Sequence, residues 1–121
     1  MIRYVLAFIA FALPVSAEVD IQEITSPGGI DAWLVEEQSI PFVAIEIMFD
    51  GGAALDLDAQ RGAANLMMAL LEEGSGDMDA QAFQTAQEEL AASFSFDVYD
   101  ETTTISARFL TENRDASVAL L

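Results

Sequence analysis

Apolar positions fall into two rhythms along this chain. A period of two marks five extended stretches, and a helical period marks three further segments. Residues 19–25 alternate weakly and end at the turn residues Ser26, Pro27, Gly28 and Gly29. Residues 30–35 place Ile30, Ala32 and Leu34 on one face and Trp33 and Val35 on the other. A polar connection, Glu36-Glu37-Gln38-Ser39, leads to Pro41 and a stronger strand over residues 42–49. There Val43, Ile45 and Ile47 oppose Phe42, Ala44, Glu46 and Met48, and Asp50-Gly51-Gly52 ends the run. The hairpin pattern returns late, with Phe94, Phe96 and Val98 on one face of residues 93–99 and a tight turn at Asp100-Glu101. Residues 102–110 then carry Thr103, Ile105, Ala107 and Phe109 on one face in a β-branched strand.

Between these extended stretches the period changes. Residues 59–73 predict a helix with Asp58 as N-cap and Gly74 as a left-handed C-cap. From Ala63 to Leu71 every residue but Asn65 is apolar, which predicts burial on nearly every side. Residues 79–92 predict a second helix, capped by Asp79 or Asp77. Phe83, Ala86 and Leu90 face inward there, and Glu88 and Glu89 face water. A third helix starts at Glu112, capped by Asn113 or Thr111, and is still apolar where the sequence stops at Leu121.

Composition narrows the functions open to this pattern. With 53% hydrophobic residues the chain is too apolar for a disordered acidic tail. Its four Arg stand against 21 acidic residues, a formal charge of −17. Phosphate contact needs a basic face, so the acidity argues against nucleic-acid binding and equally disfavours docking on anionic lipid. There is no Cys and no His, hence no disulfide and no nitrogen or sulfur metal ligand.

Residues 1–17 form a separate object. Arg3, the apolar stretch 4–13 and Val15-Ser16-Ala17 have the layout of a secretory signal peptide, too short to span a membrane. The expected mature chain is residues 18–121, starting at Glu18, exported to the periplasm or secreted. A retained N-terminal anchor is the alternative.

The candidate chemistry lies in residues 62–75, GAANLMMALLEEGS. This frame resembles the zinc helix of the insulinase/pitrilysin family, the inverzincins. There a Gly-x-Ala leads into H-x-x-E-H, and a short apolar turn runs out to Gly-Thr or Gly-Ser. Gly62-Ala63-Ala64 matches the lead-in and Gly74-Ser75 the exit, while Asn65 and Ala69 stand at the ligand positions and Met68 at the general-base position. Asn is a poor zinc ligand, Ala is none, and Met takes no proton from a bound water. Read without the frame, the same run is a plain core helix, and the two readings are compatible.

Earlier segments follow the family's order too: Gly29-Ile30-Asp31-Ala32-Trp33-Leu34-Val35, Ile40-Pro41-Phe42-Val43-Ala44-Ile45 and Gly51-Gly52-Ala53. The resemblance implies an α+β fold, an antiparallel or mixed sheet with helices packed on one face. It corresponds to the start of a metallohydrolase domain of the mitochondrial-processing-peptidase kind, truncated at Leu121. It also implies that the domain continues further, with the third zinc ligand of active members, a Glu, beyond Leu121. In the family the strand pair after the second helix borders the substrate cleft, which makes Ser95, Asp97, Tyr99 and Thr103 candidate peptide-facing residues. No cofactor is expected, the family's zinc included. The implied function is that of a non-catalytic subunit or half of an exported zinc metallopeptidase. Such a subunit lends peptide binding and chamber closure to a zinc-bearing partner. An exported acidic binding or structural domain is the competing reading. Residual hydrolysis by Asp56, Asp58, Glu72 and Glu73 is a weaker third, since their spacing favours solvated helix ends over a paired acid and base.

Overall fold

The computed structural model of the chain describes residues 19–121, and the expected signal peptide at residues 1–17 lies outside the described residues. The chain divides into two compact units after Gln38. In the first, β1 (Ile21–Thr25) and β2 (Asp31–Val35) form an antiparallel hairpin, with Ile21 opposite Val35 and Thr25 opposite Asp31. The Ser26 amide donates to the Ile30 carbonyl at 2.8 Å, and Gly29 takes a φ of 82° to complete the expected turn.

The second unit, residues 39–121, is built in the order β3 (Phe42–Asp50), α1 (Ala63–Leu70), β4 (Gly74–Ser75), β5 (Met78–Asp79), α2 (Ala80–Glu89), β6 (Ser93–Val98), β7 (Thr102–Leu110) and α3 (Arg114–Leu120). Strands β3, β7 and β6 make one antiparallel sheet with β7 in the centre. Register carries the sequence alternation across all three strands. Ile45, Ala107 and Phe94 form one row, and Ile47, Ile105 and Phe96 the next. This face holds the core. Phe83 of α2 packs on Phe94, Ala107 and Phe109, with ring centroids of Phe83 and Phe94 6.3 Å apart. Val43, Met78, Ala92, Leu120 and Leu121 close around them, so α2 and the end of α3 share that face. The arrangement is the expected α+β sheet with helices on one side, and its pairing is antiparallel throughout this sheet. Burying each large aromatic contributes about 1.5–3 kcal/mol.

The opposite face carries the polar rows: Ala44, Arg108 and Ser93 in one, and Glu46, Ser106 and Ser95 in the next.

Several local expectations are corrected. The helix expected over 59–73 is shorter, because Gly62 at φ 92° breaks the run and residues 58–60 and 71–73 are 3-10 turns. Its burial is also overturned: Leu66 is 61% exposed and Leu70 55%, and Met68 alone is buried, at 3%. Gly74 is not a left-handed cap. It does end the 71–73 turn with a positive φ of 137°, but its ψ of 158° is outside the left-handed helical region; it pairs with Asp79 in β4, where only glycine fits because a Cβ would strike the Met78 carbonyl oxygen. Asp79 does cap α2, accepting the Ala82 amide at 2.9 Å. Asn113 does not cap α3 with its side chain; its Nδ2 donates to the Leu90 carbonyl at 2.8 Å and ties the end of α2 to the start of α3.

Candidate functional site

Helix α1 carries the three positions of the motif frame. Its first turn has four backbone N–H groups without partners inside the helix. Asp56 satisfies two of them, accepting from Gly62 at 2.7 Å and Ala64 at 3.1 Å. The expected cap, Asp58, instead meets Arg61 at 3.0 Å in an exposed pair. No local signal marks Asp56, because it lies six and eight residues before the amides it serves.

Side chains three and four residues apart share a helix side but are offset around the axis. That offset decides the fates of the three positions. Met68 turns inward and is buried, whereas Asn65 and Ala69 are exposed. An unbranched thioether suits an irregular interior gap. Zinc does not fit here: an amide, a methyl and a thioether replace two imidazoles and a carboxylate. Among the described residues no three Asp or Glu side chains lie close enough to hold a metal ion.

The structure divides the four carboxylates of the hydrolysis reading between two separate cavities. Asp56 and Asp58 line one cavity of about 380 Å³ with Arg61, Gly62 and Asp100. Glu72 and Glu73 line another of about 420 Å³ with Gln84, Gln87 and Glu88.

Helix α1 packs beside β6, one of the two edge strands of the sheet. Among the described residues no strand pairs with the outer edge of β6, and at its start Gln87 Oε1 of α2 accepts the Phe94 amide at 3.3 Å. A row of unpaired N–H and C=O groups is a template for a further strand. The four candidate peptide-facing residues do not share one surface. Ser95 and Asp97 stand on the polar face, opposite Ser106 and Thr104, and the Ser95 hydroxyl donates to Asp97 Oδ2 at 2.6 Å. Tyr99 lies just past β6 and is exposed. Thr103 pairs with Val98 on the core side and donates its hydroxyl to the Gly51 carbonyl at 2.9 Å.

The turn after β6 is held from outside. The Gly51, Ala53 and Ala54 amides donate to the Glu101, Tyr99 and Asp100 carbonyls at 2.7, 2.9 and 2.8 Å. Gly52 is needed at this approach, because a Cβ would collide with the Tyr99 carbonyl oxygen. The glycine-rich exit of β3 thus fixes the far end of the β6–β7 hairpin. Sequence reading also passed over Arg108, which lies on the polar face beside Ser93. The signal was available: it alternates with the core residues Ala107 and Phe109, so parity puts it on the other side.

Comparison with known proteins sets this site in context. No family model matches the chain. A curated relative, the non-peptidase homolog YmxG of Helicobacter pylori, is 31% identical over 86 residues, which are 71% of this chain and 20% of that protein. The crystal structure of a peptidase M16 inactive domain from Pseudomonas fluorescens matches with a TM-score of 0.76 and 27% identity, over 84% of this chain and 25% of that one. A protease from Helicobacter pylori matches with a TM-score of 0.69 over 85% of this chain and 25% of that one; at 14% identity it speaks for the fold alone. The chain therefore spans about a fifth of the length of the curated relative it matches. An inactive domain and a non-peptidase homolog agree with a motif frame that has lost its chemistry: the chain belongs to the insulinase/pitrilysin family, peptidase M16, as a non-catalytic, peptidase-like member.

Proposed function

We propose that this chain is exported, to the periplasm or the medium, and acts as the non-catalytic subunit or half of a zinc metallopeptidase. It lends a peptide-binding edge and a chamber wall to a zinc-bearing relative. Residues 1–17 serve as the signal peptide in this reading, and residues 18–121 are the N-terminal part of an insulinase-like domain. The observation that carries it is the juxtaposition on α1 and β6. A helix with Asn65, Met68 and Ala69 at the motif positions lies beside a strand that has no strand neighbour on its outer edge beyond the Gln87 contact to Phe94. The helix has no zinc chemistry, while the edge keeps the backbone groups that recognise an extended peptide by strand addition. The homology to inactive domains supports the same division of labour.

The test is co-purification from the native source with a tag on the natural full-length protein. The expected result is an exported H-x-x-E-H protein holding one zinc, with none bound to this chain, and loss of that protein's peptidase activity when this gene is deleted. A partner that is fully active in the deletion strain, together with no H-x-x-E-H protein recovered on the tag, would sink the proposal.

A further inference from the structure

The described residues contain three arginines, and two of them are spoken for. Arg61 meets Asp58 at 3.0 Å and Arg114 meets Asp115 at 2.8 Å, both at exposed positions. Arg108 has no carboxylate partner among the described residues. Its guanidinium lies over the ring of Phe42, 5.8 Å from the centroid. In a chain with 21 acidic residues, an arginine with no acid beside it is an exception in need of a cause.

Its surroundings supply one. Arg108 sits mid-sheet on the polar face of β7, across from Ala44 on β3 and Ser93 on β6. The next row holds Glu46, Ser106 and Ser95. Together they line an open cavity of about 360 Å³ that crosses all three strands. Stacking on an aromatic face restrains a guanidinium while leaving its N–H edges free. Those edges form a planar fork that matches a carboxylate in two parallel hydrogen bonds. Serine hydroxyls at neighbouring positions donate to the same kind of group. Ala44 presents only a methyl opposite Arg108, and Glu46, unpaired with Arg108 but lining the same cavity from the next row, repels a dianion such as phosphate more than a single carboxylate.

We infer that Arg108, seated on Phe42 and flanked by Ser93 and Ser106, anchors a carboxylate of a peptide bound across this sheet face. The inference rests on the reading above that this chain binds peptide, and adds to the β6 edge a contact on the adjoining sheet face, next to Ser93 of β6, together with the chemistry of the ligand. The carboxylate is a peptide's C-terminus or an Asp or Glu side chain, and the measurement separates the two.

The natural full-length protein is titrated against three peptides carrying an uncharged dye at the N-terminus. These are Ala-Ser-Val-Ala with a free C-terminus, the same peptide as its amide, and the amide of Ala-Asp-Val-Ala. Fluorescence anisotropy is the readout. One of the two carboxylate-bearing peptides is expected to bind about tenfold more tightly than the uncharged amide, as befits a charge-assisted pair. Which one it is names the source. Arg108→Gln should abolish that preference, and Arg108→Lys should keep part of it, since Lys offers a point charge without the fork. Circular dichroism of both variants should match the parent, because the side chain is exposed. Equal binding of all three peptides overturns the role of Arg108 and leaves peptide binding standing. No binding of any peptide to a natively folded protein overturns both readings.

Discussion

Helices α1 and α2 belong to the same unit, and the more apolar of the two is the less buried. Helix α1 reads AANLMMAL and exposes Leu66, Met67 and Leu70, while α2 reads AQAFQTAQEE and buries Phe83 to 2%. The difference comes from their neighbours. Phe83 meets three core residues supplied by two strands at matching register, whereas α1 touches the sheet along one edge strand. Burial is a property of what lies opposite a residue. Hydrophobicity sets only how much is gained when something does.

The largest effects test that contrast directly. Phe109 is 1% exposed at the centre of the α2 side, and Phe109→Ala should cost about 3–5 kcal/mol, read as a large fall in urea midpoint. Leu66→Ala on α1 should cost less than about 0.5 kcal/mol in the same measurement. Comparable losses would mean that the face of α1 is packed as tightly as that of α2, and would end the comparison.

Caps give a finer test of about 1 kcal/mol each. Asp56→Ala strips two amides at the start of α1, and Asp79→Ala strips one at the start of α2. Hydrogen exchange should report each loss locally. The Leu66 amide, which donates to the Gly62 carbonyl at 2.9 Å, should exchange faster in the first variant, with α2 unaffected. The second variant should do the reverse. Acceleration of both helices by either change would show that they open as one unit.

The smallest effect lies at the start of α3. The hydrogen bond from Arg114, and then its charge, hold the Asp115 carboxyl below its ordinary range. A depressed folded-state value means that the pair's stabilisation is present above the ordinary Asp value and is lost as pH falls through the lowered one. Both groups are exposed, so Asp115→Asn should barely move the melting temperature at neutral pH. What difference exists should vanish in acid. A large change at pH 7 would assign this pair a structural role that its exposure argues against.

The two helices also mark how far sequence reading reaches. Strand β7 runs over residues 102–110, as read from its alternation, because a period of two with β-branched residues has a single good solution on a sheet. The inward set of Phe94 and Phe96 was legible for the same reason, and the N-cap of α2 was narrowed to Asp79 or Asp77 by the acids that precede it. Helix α1 was legible as a helix and illegible as to its faces, since a run apolar all round carries no phase. Its true start depended on Gly62 adopting a positive φ and on Asp56 reaching forward from a separate turn, neither of which is a local pattern. The two-residue pairing of Gly74-Ser75 with Met78-Asp79 is shorter than any periodicity can register. At the site, the loss of metal chemistry was plain from residue identity alone. The splitting of Ser95 and Asp97 from Thr103 needed the strand register, which places them on opposite faces.

The clamp between residues 51–54 and the turn at 99–101 has a consequence for errors in assembly. Strand β3 meets β7 across more than fifty positions of chain, so the pairing is made late relative to the four-residue closure of β6 onto β7. A late strand can arrive one residue out of step, which would turn Val43, Ile45 and Ile47 to the wrong side. Here a misplaced β3 also carries Gly51, Ala53 and Ala54 past their three carbonyl acceptors, and a slip that brings Ala53 to the place of Gly52 sets its methyl against the Tyr99 carbonyl. The glycine exit therefore works as a proofreading stop: only the correctly docked strand can close it.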